Sequence, residues 1–287
     1  MITGKTRTCG LIGNPVEHTL SPLIHNTLAG DCGQDLVYVP FLVEEGKVEE
    51  AVRGAYALHI LGLNVTVPYK SEVMAALVEV DGLAAKIGAV NTLVRTEGGY
   101  KGYNTDMSGL YRAMTGEGIR LEGEEIILLG AGGAARSVAF LCGEQKAAKV
   151  YLLNRSREKA VQVAGEVNAA FGRDFIMPMS LSEHPKLPDK KFLAIQGTSV
   201  GLSPHDDEVI IEDMAFYQKI HTGFDLIYRP FTTKFMKLVE DAGGKAYNGL
   251  KMLLYQGIDA YELWNQVKID EKEAALVYEK LRQAMGL

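Results

Sequence analysis

The sequence predicts an α/β protein of two domains, and three observations carry that prediction. Strand-length apolar runs alternate with helix-forming segments along all 287 residues, the pattern of layered structure with largely parallel sheets. The run 124–129 delivers a glycine-rich turn, Gly130-Ala131-Gly132-Gly133-Ala134-Ala135, directly onto a helix-forming segment. A dinucleotide-binding fold usually opens with such a turn, yet here it stands deep inside the chain, so a separate domain is expected ahead of it.

Taken in order, strands are expected at 8–13, 37–42, 61–66, 90–95 and 100–105, then at 125–130, 149–154, 174–177, 192–197 and 222–228. Helices fill most of the intervals. Ser21-Pro22 reads as an N-cap followed by proline at the first helical position, with Leu23, Ile24 and Leu28 on the buried face. A helix is expected over 107–115, with capping by Asp106 as an alternative that does not exclude catalysis, a further helix covers 233–241, and a pair of helices closes the chain. In the first of that pair Leu250, Leu253, Leu254, Ile258 and Tyr261 form the buried stripe, leaving Met252 and Gln256 on another face. The expected division is 1–106, then 107–245, then 246–287 as helices returning to the first domain.

Composition sets the class. With 47% hydrophobic and 23% charged residues, the chain reads as globular and able to bury a sizeable core. The formal net charge of −6 recommends neither nucleic acid nor an anionic membrane as partner. Cys9, Cys32 and Cys142 are an odd number without a CxxC, so reduced thiols and a cytoplasmic location are expected. No apolar run approaches a membrane span. The six histidines show no metal-ligand spacing and are expected on the surface or in loops.

The glycine turn has a physical reading as a pyrophosphate cradle. Gly130 and Gly132 can take backbone angles that a β-carbon forbids, Ala135 permits close helix-to-strand packing, and free amides at the helix start face an anion. Where the second strand should end, the chain reads Asn154-Arg155-Ser156, with Lys159 close behind. An acidic residue there would select NAD; an amide and a planar cation favour the 2′-phosphate of NADP. Glu158 lies too late in the turn to restore a preference for NAD.

Three N-terminal segments stand out, Gly13-Asn14-Pro15-Val16-Glu17-His18-Thr19-Leu20-Ser21-Pro22, Asn64-Val65-Thr66-Val67-Pro68-Tyr69-Lys70 and Gly88-Ala89-Val90-Asn91-Thr92, followed by Gly102-Tyr103-Asn104-Thr105-Asp106. Their order resembles the shikimate dehydrogenase family. The likeness continues through the nucleotide turn, Asn154-Arg155-Ser156, Asp225-Leu226-Ile227-Tyr228-Arg229-Pro230 and Asn248-Gly249-Leu250-Lys251-Met252 to Gln256, almost the whole chain. It implies an N-terminal substrate-binding catalytic domain, a Rossmann-like NADP-binding domain and C-terminal helices packed on the first. It also implies reversible NADPH-dependent reduction of 3-dehydroshikimate to shikimate, in chorismate and aromatic amino acid biosynthesis, by a monomer or homodimer.

On this resemblance Lys70 is the proton-transfer group and Asp106 its partner. Thr19 and Ser21 would receive the substrate carboxylate, and Thr66, Asn91, Tyr228 and Gln256 its hydroxyls. The cofactor would meet Gly130, Gly132, Gly133, Ala134, Asn154, Arg155, Ser156, Lys159, Thr198, Ser199, Gly249 and Met252, with no metal required. Two departures from the family pattern are visible. Thr19 stands where serine is more usual, which leaves quinate as an alternative substrate. Gln196-Gly197 precedes Thr198-Ser199 where Asn-Ala is more frequent. From another class, the rival is a non-catalytic NADP-binding sensor, against which intact Lys70, Asp106, Asn91 and Gln256 speak.

Overall fold

A computed structural model describes residues 2–287. The chain divides into two compact units: residues up to Arg112 together with Leu253–Leu287, and Ala113–Met252 between them.

In the first unit, β1 (Arg7–Gly13), α1 (Ser21–Asp31), β2 (Leu36–Leu42), α2 (Val48–Ala57) and β3 (Gly62–Val65) run as strand-helix-strand crossovers. They are followed by β4 (Glu79–Val80), α3 (Gly82–Ile87), β5 (Thr92–Thr96), β6 (Gly99–Tyr103) and the start of α4 (Thr105–Gly116). The sheet order is β2-β1-β3-β5-β6-β4. β1 pairs in parallel with β2 and β3, but β5 is antiparallel to both β3 and β6. The sheet is thus mixed where a largely parallel one is expected. The cause is local: only Glu97-Gly98 separate β5 from β6, too short for a crossover and right for a hairpin. The two-residue β4 is too brief to leave any periodic signal.

One start signal differs from expectation, and one open alternative is decided. Ser21 is the first residue of α1, whose N-cap is Leu20 without a side-chain bond; the Ser21 amide instead donates to Thr19 Oγ1 at 3.2 Å. Asp106 does not cap α4 either. Asn104 does so, its Oδ1 accepting from the Met107 amide at 3.2 Å.

The second unit holds β7 (Glu125–Leu129), α5 (Gly133–Glu144), β8 (Lys149–Asn154), α6 (Arg157–Phe171), β9 (Ile176–Ser180) and β10 (Phe192–Gln196). α7 (Met214–Tyr217), β11 (Ile220–Asp225), α8 (Lys234–Asp241) and β12 (Lys245–Tyr247) follow. Every pairing is parallel, in the order β12-β11-β10-β7-β8-β9. This is the doubly wound arrangement, with its reversal between β7 and β10. Ile126, Ile127 and Leu128 are each 0% exposed, as a strand covered by helices on both faces requires, and such side chains contribute roughly 1.5–3 kcal/mol apiece. β12 is the edge strand that periodicity does not reveal, since three residues carry too little pattern.

α9 (Leu250–Asn265) and α10 (Glu271–Ala284) close the chain. α9 is buried on nearly every side between Leu254 and Ala260, a wider face than the expected stripe, with Leu253 only half-buried. Trp264 seats its indole over Gly62 in β3, and its Nε1 donates to Leu93 O at 2.9 Å.

Candidate active site

The turn after β3 carries Lys70. Its shape is fixed by backbone bonds from Thr66 N to Ile12 O (3.0 Å), Tyr69 N to Thr66 O (3.0 Å) and Val90 N to Lys70 O (2.7 Å). Asp106 occupies the first turn of α4, just past β6. Lys70 Nζ donates to Asp106 Oδ2 at 2.7 Å, with the two side chains 32% and 18% exposed. Because Asn104 does the capping, the Asp106 carboxylate is available to hold the ammonium.

Beneath this pair lies a buried polar network. Asn91 is 2% exposed, and its Oδ1 accepts from the Thr105 amide at 2.7 Å and faces the Thr92 and Thr105 hydroxyls, each at 3.2 Å. The acceptor that a substrate hydroxyl would have met is therefore occupied, leaving the Nδ2 donor as the group Asn91 offers. Asn64 continues the network: its Nδ2 donates to Asn91 O at 3.2 Å and to Thr92 Oγ1 at 3.1 Å. Its Oδ1 accepts from Tyr38 at 2.8 Å and faces His25 Nε2 at 3.1 Å.

His25 corrects an expectation, being 0% exposed rather than on the surface or in a loop. It stacks on Tyr38 at 4.2 Å between centroids. Since the Asn64 amide is oriented by a carbonyl, His25 Nε2 is the donor, and burial drives the imidazole pKa down to about 3. Sequence reasoning missed His25 and Tyr38, and it quoted Asn64, Thr92 and Thr105 in the family motifs without giving them a role. For His25 the available signal was its helical spacing, three residues before Leu28 and four after Ser21.

Thr19 and Ser21 are brought together, with Thr19 Oγ1 donating to Ser21 Oγ at 3.2 Å. Thr66 is half-buried, and its methyl packs against Gly13. Gln256 is 9% exposed and donates from Nε2 to Leu253 O at 2.9 Å. All of these belong to the first unit, whereas Tyr228 belongs to the second. A cavity of about 910 Å³ along α4 and α9 is a different place: its lining contains Arg112, paired with Asp259 at 2.6 Å, and neither Lys70 nor Asp106.

In the second unit a cavity of about 920 Å³ opens at the carboxyl ends of β7 and β10. Gly130, Gly132, Gly133, Ala134, Asn154, Arg155, Lys159, Thr198, Ser199 and Tyr228 line it; Ser156, Gly249 and Met252 do not. Gly130 has φ +108°, and a β-carbon there would lie 2.6 Å from Thr198 Cγ2, so no other residue fits. β-carbons on Gly132 or Gly133 would meet open space, and α5 begins without a side-chain cap. Ser156 instead caps α6, accepting from the Lys159 amide at 3.3 Å and holding Glu158 at 2.8 Å. The helix-start amide and Ser156 keep the Glu158 carboxyl below its usual range. Arg155 and Lys159 are exposed in the lining and form no ion pair among the described residues. Gly249 is explained by packing, since a β-carbon would collide with Leu226 O at 2.0 Å. Burial raises the Tyr228 phenol above its ordinary pKa, so it stays protonated at neutral pH.

Among the described residues there is no group of three or more His, Cys, Asp or Glu side chains placed to hold a metal, and no helix is long and apolar enough to cross a membrane.

A doubly wound nucleotide unit with a glycine turn at its reversal, joined in one chain to a unit bearing an ammonium–carboxylate pair, defines a dinucleotide-dependent dehydrogenase by class. Residues 11–93 match the family described as shikimate dehydrogenase substrate binding domain, and a shikimate dehydrogenase (NADP(+)) of Desulforamulus reducens is 41% identical over 265 residues, covering 92% of this chain and 91% of the relative. The solved chorismate mutase/shikimate 5-dehydrogenase fusion protein from Clostridium acetobutylicum matches with a TM-score of 0.90 at 34% identity, covering 98% of this chain and 99% of that one. The shikimate 5-dehydrogenase from Thermus thermophilus in complex with NADP(H) and shikimate matches with a TM-score of 0.83 at 30% identity, covering 96% and 99%. The chain belongs to the shikimate dehydrogenase family.

Proposed function

We propose that this protein is an NADP-dependent shikimate dehydrogenase, reducing 3-dehydroshikimate reversibly to shikimate in the route to chorismate and the aromatic amino acids. One observation carries the chemistry: the Lys70 ammonium sits 2.7 Å from the Asp106 carboxylate, partly exposed, at the strand ends of the first unit. The nucleotide site fits NADP by its open glycine turn and by two cations free to meet a 2′-phosphate. When bound, NADPH supplies the hydride.

As negative charge develops on the ketone oxygen, Lys70 Nζ donates a proton to it, and the same ammonium stabilises the oxyanion as it forms. Asp106 orients that ammonium and accepts from a ring hydroxyl. In the oxidative direction Lys70 must be neutral to take the alcohol proton. Thr19 and Ser21 receive the carboxylate, the Asn91 Nδ2 donor and Thr66, Gln256 and Tyr228 receive hydroxyls, and Arg155 with Lys159 reads the 2′-phosphate. Gly130, Gly132, Gly133 and Ala134 would cradle the pyrophosphate, Asn154, Thr198 and Ser199 would complete the crevice, and Ser156, outside the lining, would support it as the cap of α6; Gly249 and Met252 are also outside the lining and take their nicotinamide role from the family resemblance alone. The working form is a cytoplasmic monomer or homodimer.

Thr19 favours a second reading, quinate oxidation, because its extra methyl reshapes the carboxylate end, where a methylene-sized change discriminates by only ~1–3 kcal/mol. Shikimate and quinate are tested in parallel by cofactor reduction with NADP and with NAD. Rapid reduction of NADP by shikimate is expected. Faster turnover of quinate moves the assignment to the second reading, and no reduction with either acid overturns both in favour of a non-catalytic NADP sensor.

A further inference from the structure

Gln196 and Gly197 are the departure from the family pattern that the reaction itself does not explain. Gln196 ends β10 at the reversal of the sheet, 1% exposed, in register with Leu129 of β7 and Asp225 of β11. Its carboxamide closes on the backbone that follows it. Oε1 accepts from the Thr198 amide at 2.6 Å, and Nε2 donates to Val200 O at 3.1 Å and Thr198 O at 3.4 Å. Both amide protons and the oxygen are thus spent on one short loop.

That loop lies against the glycine turn. Gly197 N donates to Leu129 O at 2.9 Å, and Thr198 Cγ2 occupies the space that a β-carbon on Gly130 would need. A β-carbon on Gly197 would stand 3.1 Å from both Cα and Cβ of Ala135, tighter than ordinary contact and against the first turn of α5, which cannot give way. Gly197, Thr198, Ser199 and Val200 all line the cavity, whereas Gln196 does not.

We infer that Gln196 and Gly197 act as a matched pair of positioning residues, setting how closely the Thr198–Ser199 loop approaches the glycine turn and so the grip on the nicotinamide dinucleotide. The long amide reaches over the turn to Val200, and the missing methyl lets the loop settle onto Ala135. An asparagine is one methylene shorter and cannot span from the strand end to both Thr198 and Val200 in this setting. An alanine at 197 lifts the loop off α5. Each change alone therefore misfits, and the two together restore a self-consistent, higher loop. The inference rests on the NADP reading of this site.

The test is a double-mutant cycle on the full chain, with NADPH affinity measured by titration calorimetry, the Michaelis constant for NADPH measured in the steady state, and thermal midpoints recorded throughout. Gln196→Asn and Gly197→Ala should each weaken NADPH by about 5- to 10-fold, the loss of one or two hydrogen bonds or their alignment. The Gln196→Asn/Gly197→Ala double variant should bind better than the product of the single losses by at least about threefold, the favourable sign of coupling that two changes compensating on one loop produce. Gln196→Glu keeps size but loses both donors, and should weaken NADPH like Gln196→Asn. Losses that multiply independently overturn the pairing, and unchanged NADPH affinity in every folded variant overturns the inference, including when only the thermal midpoint falls. NADPH binding by the wild-type protein serves as control: a wild type that does not bind NADPH removes the cofactor reading itself, a different failure from normal binding by the Gln196 variants.

Discussion

Asp106 accepts the Lys70 ammonium at 2.7 Å from the first turn of a helix that Asn104, not Asp106, caps. The carboxylate is thus spared for the ammonium. Lys70→Ala should lower turnover by ~10²–10⁴-fold, the usual range for a general acid–base group, while the Michaelis constant for shikimate changes far less. Steady-state kinetics with saturating NADP decide it, and near-normal turnover in the variant removes Lys70 from the mechanism.

Arg155 faces the nucleotide cavity without an acidic partner among the described residues. Arg155→Ala should weaken NADPH by about 1.5–3 kcal/mol, the worth of a charged hydrogen bond, and leave NADH nearly untouched. Calorimetric titration with both cofactors is the check. Equal losses for the two would mean that Arg155 does not read the 2′-phosphate.

Asp225 gives a dependence of stability on pH. Burial, opposed by the Thr233 hydroxyl at 2.6 Å and the Ile227 amide at 3.0 Å, pushes its carboxyl up to about 7. An unfolded aspartate titrates near ~3.9, so between these values the folded state binds the extra proton. The contribution is full below ~4 and is lost as pH rises through about 7. His25 has the opposite sign: its folded pKa of about 3 lies below the unfolded ~6.5, so its contribution is present above ~6.5 and is lost on acidification toward 3. Asp225→Asn mimics the neutral acid, and subtracting wild type from variant cancels His25. Urea midpoints should show the variant gaining on wild type between pH 5 and pH 8; a constant difference would contradict the raised pKa.

Gly62 has no room for a side chain, because a β-carbon would lie 2.0 Å from Trp264 Nε1. Gly62→Ala must displace the indole and its bond to Leu93 O, and should cost about 1–3 kcal/mol or somewhat more, the range for overpacking. Trp264 is the single tryptophan of the sequence, so its fluorescence reports this unit alone. An unchanged midpoint with unshifted emission would refute the contact.

The parts legible from sequence are those where the local signal and the fold agree. Ile126–Leu129 followed by Gly130 needs no tertiary information, because a run buried on both faces and a positive φ are both local demands. Thr233 likewise caps α8 where the helix is expected, accepting from the Met236 amide at 3.3 Å. Ser21 is not the cap because Leu20 is already helical and places Ser21 inside the first turn, where its hydroxyl accepts from Thr19 Oγ1 instead, a local contact that propensity does not register. The burial of His25 and the role of Asn64 were invisible for another reason. Their bond joins residues 39 apart, and neither type is ordinarily fully buried unless such a partner exists. Asn91 was found by resemblance, but only geometry shows that its oxygen is already engaged by Thr105.

The first unit draws on both ends of the chain, with residues 113–252 forming the other unit between them. During synthesis the parallel sheet can therefore finish while the strands made earliest still lack their last helices. Until residues 253–287 have emerged, no indole covers Gly62 and no Gln256 stands beside Gly109. Emergence and completion run in opposite order, and a nascent chain stalled just past Met252 holds a completed nucleotide module tethered to an open, aggregation-prone partner.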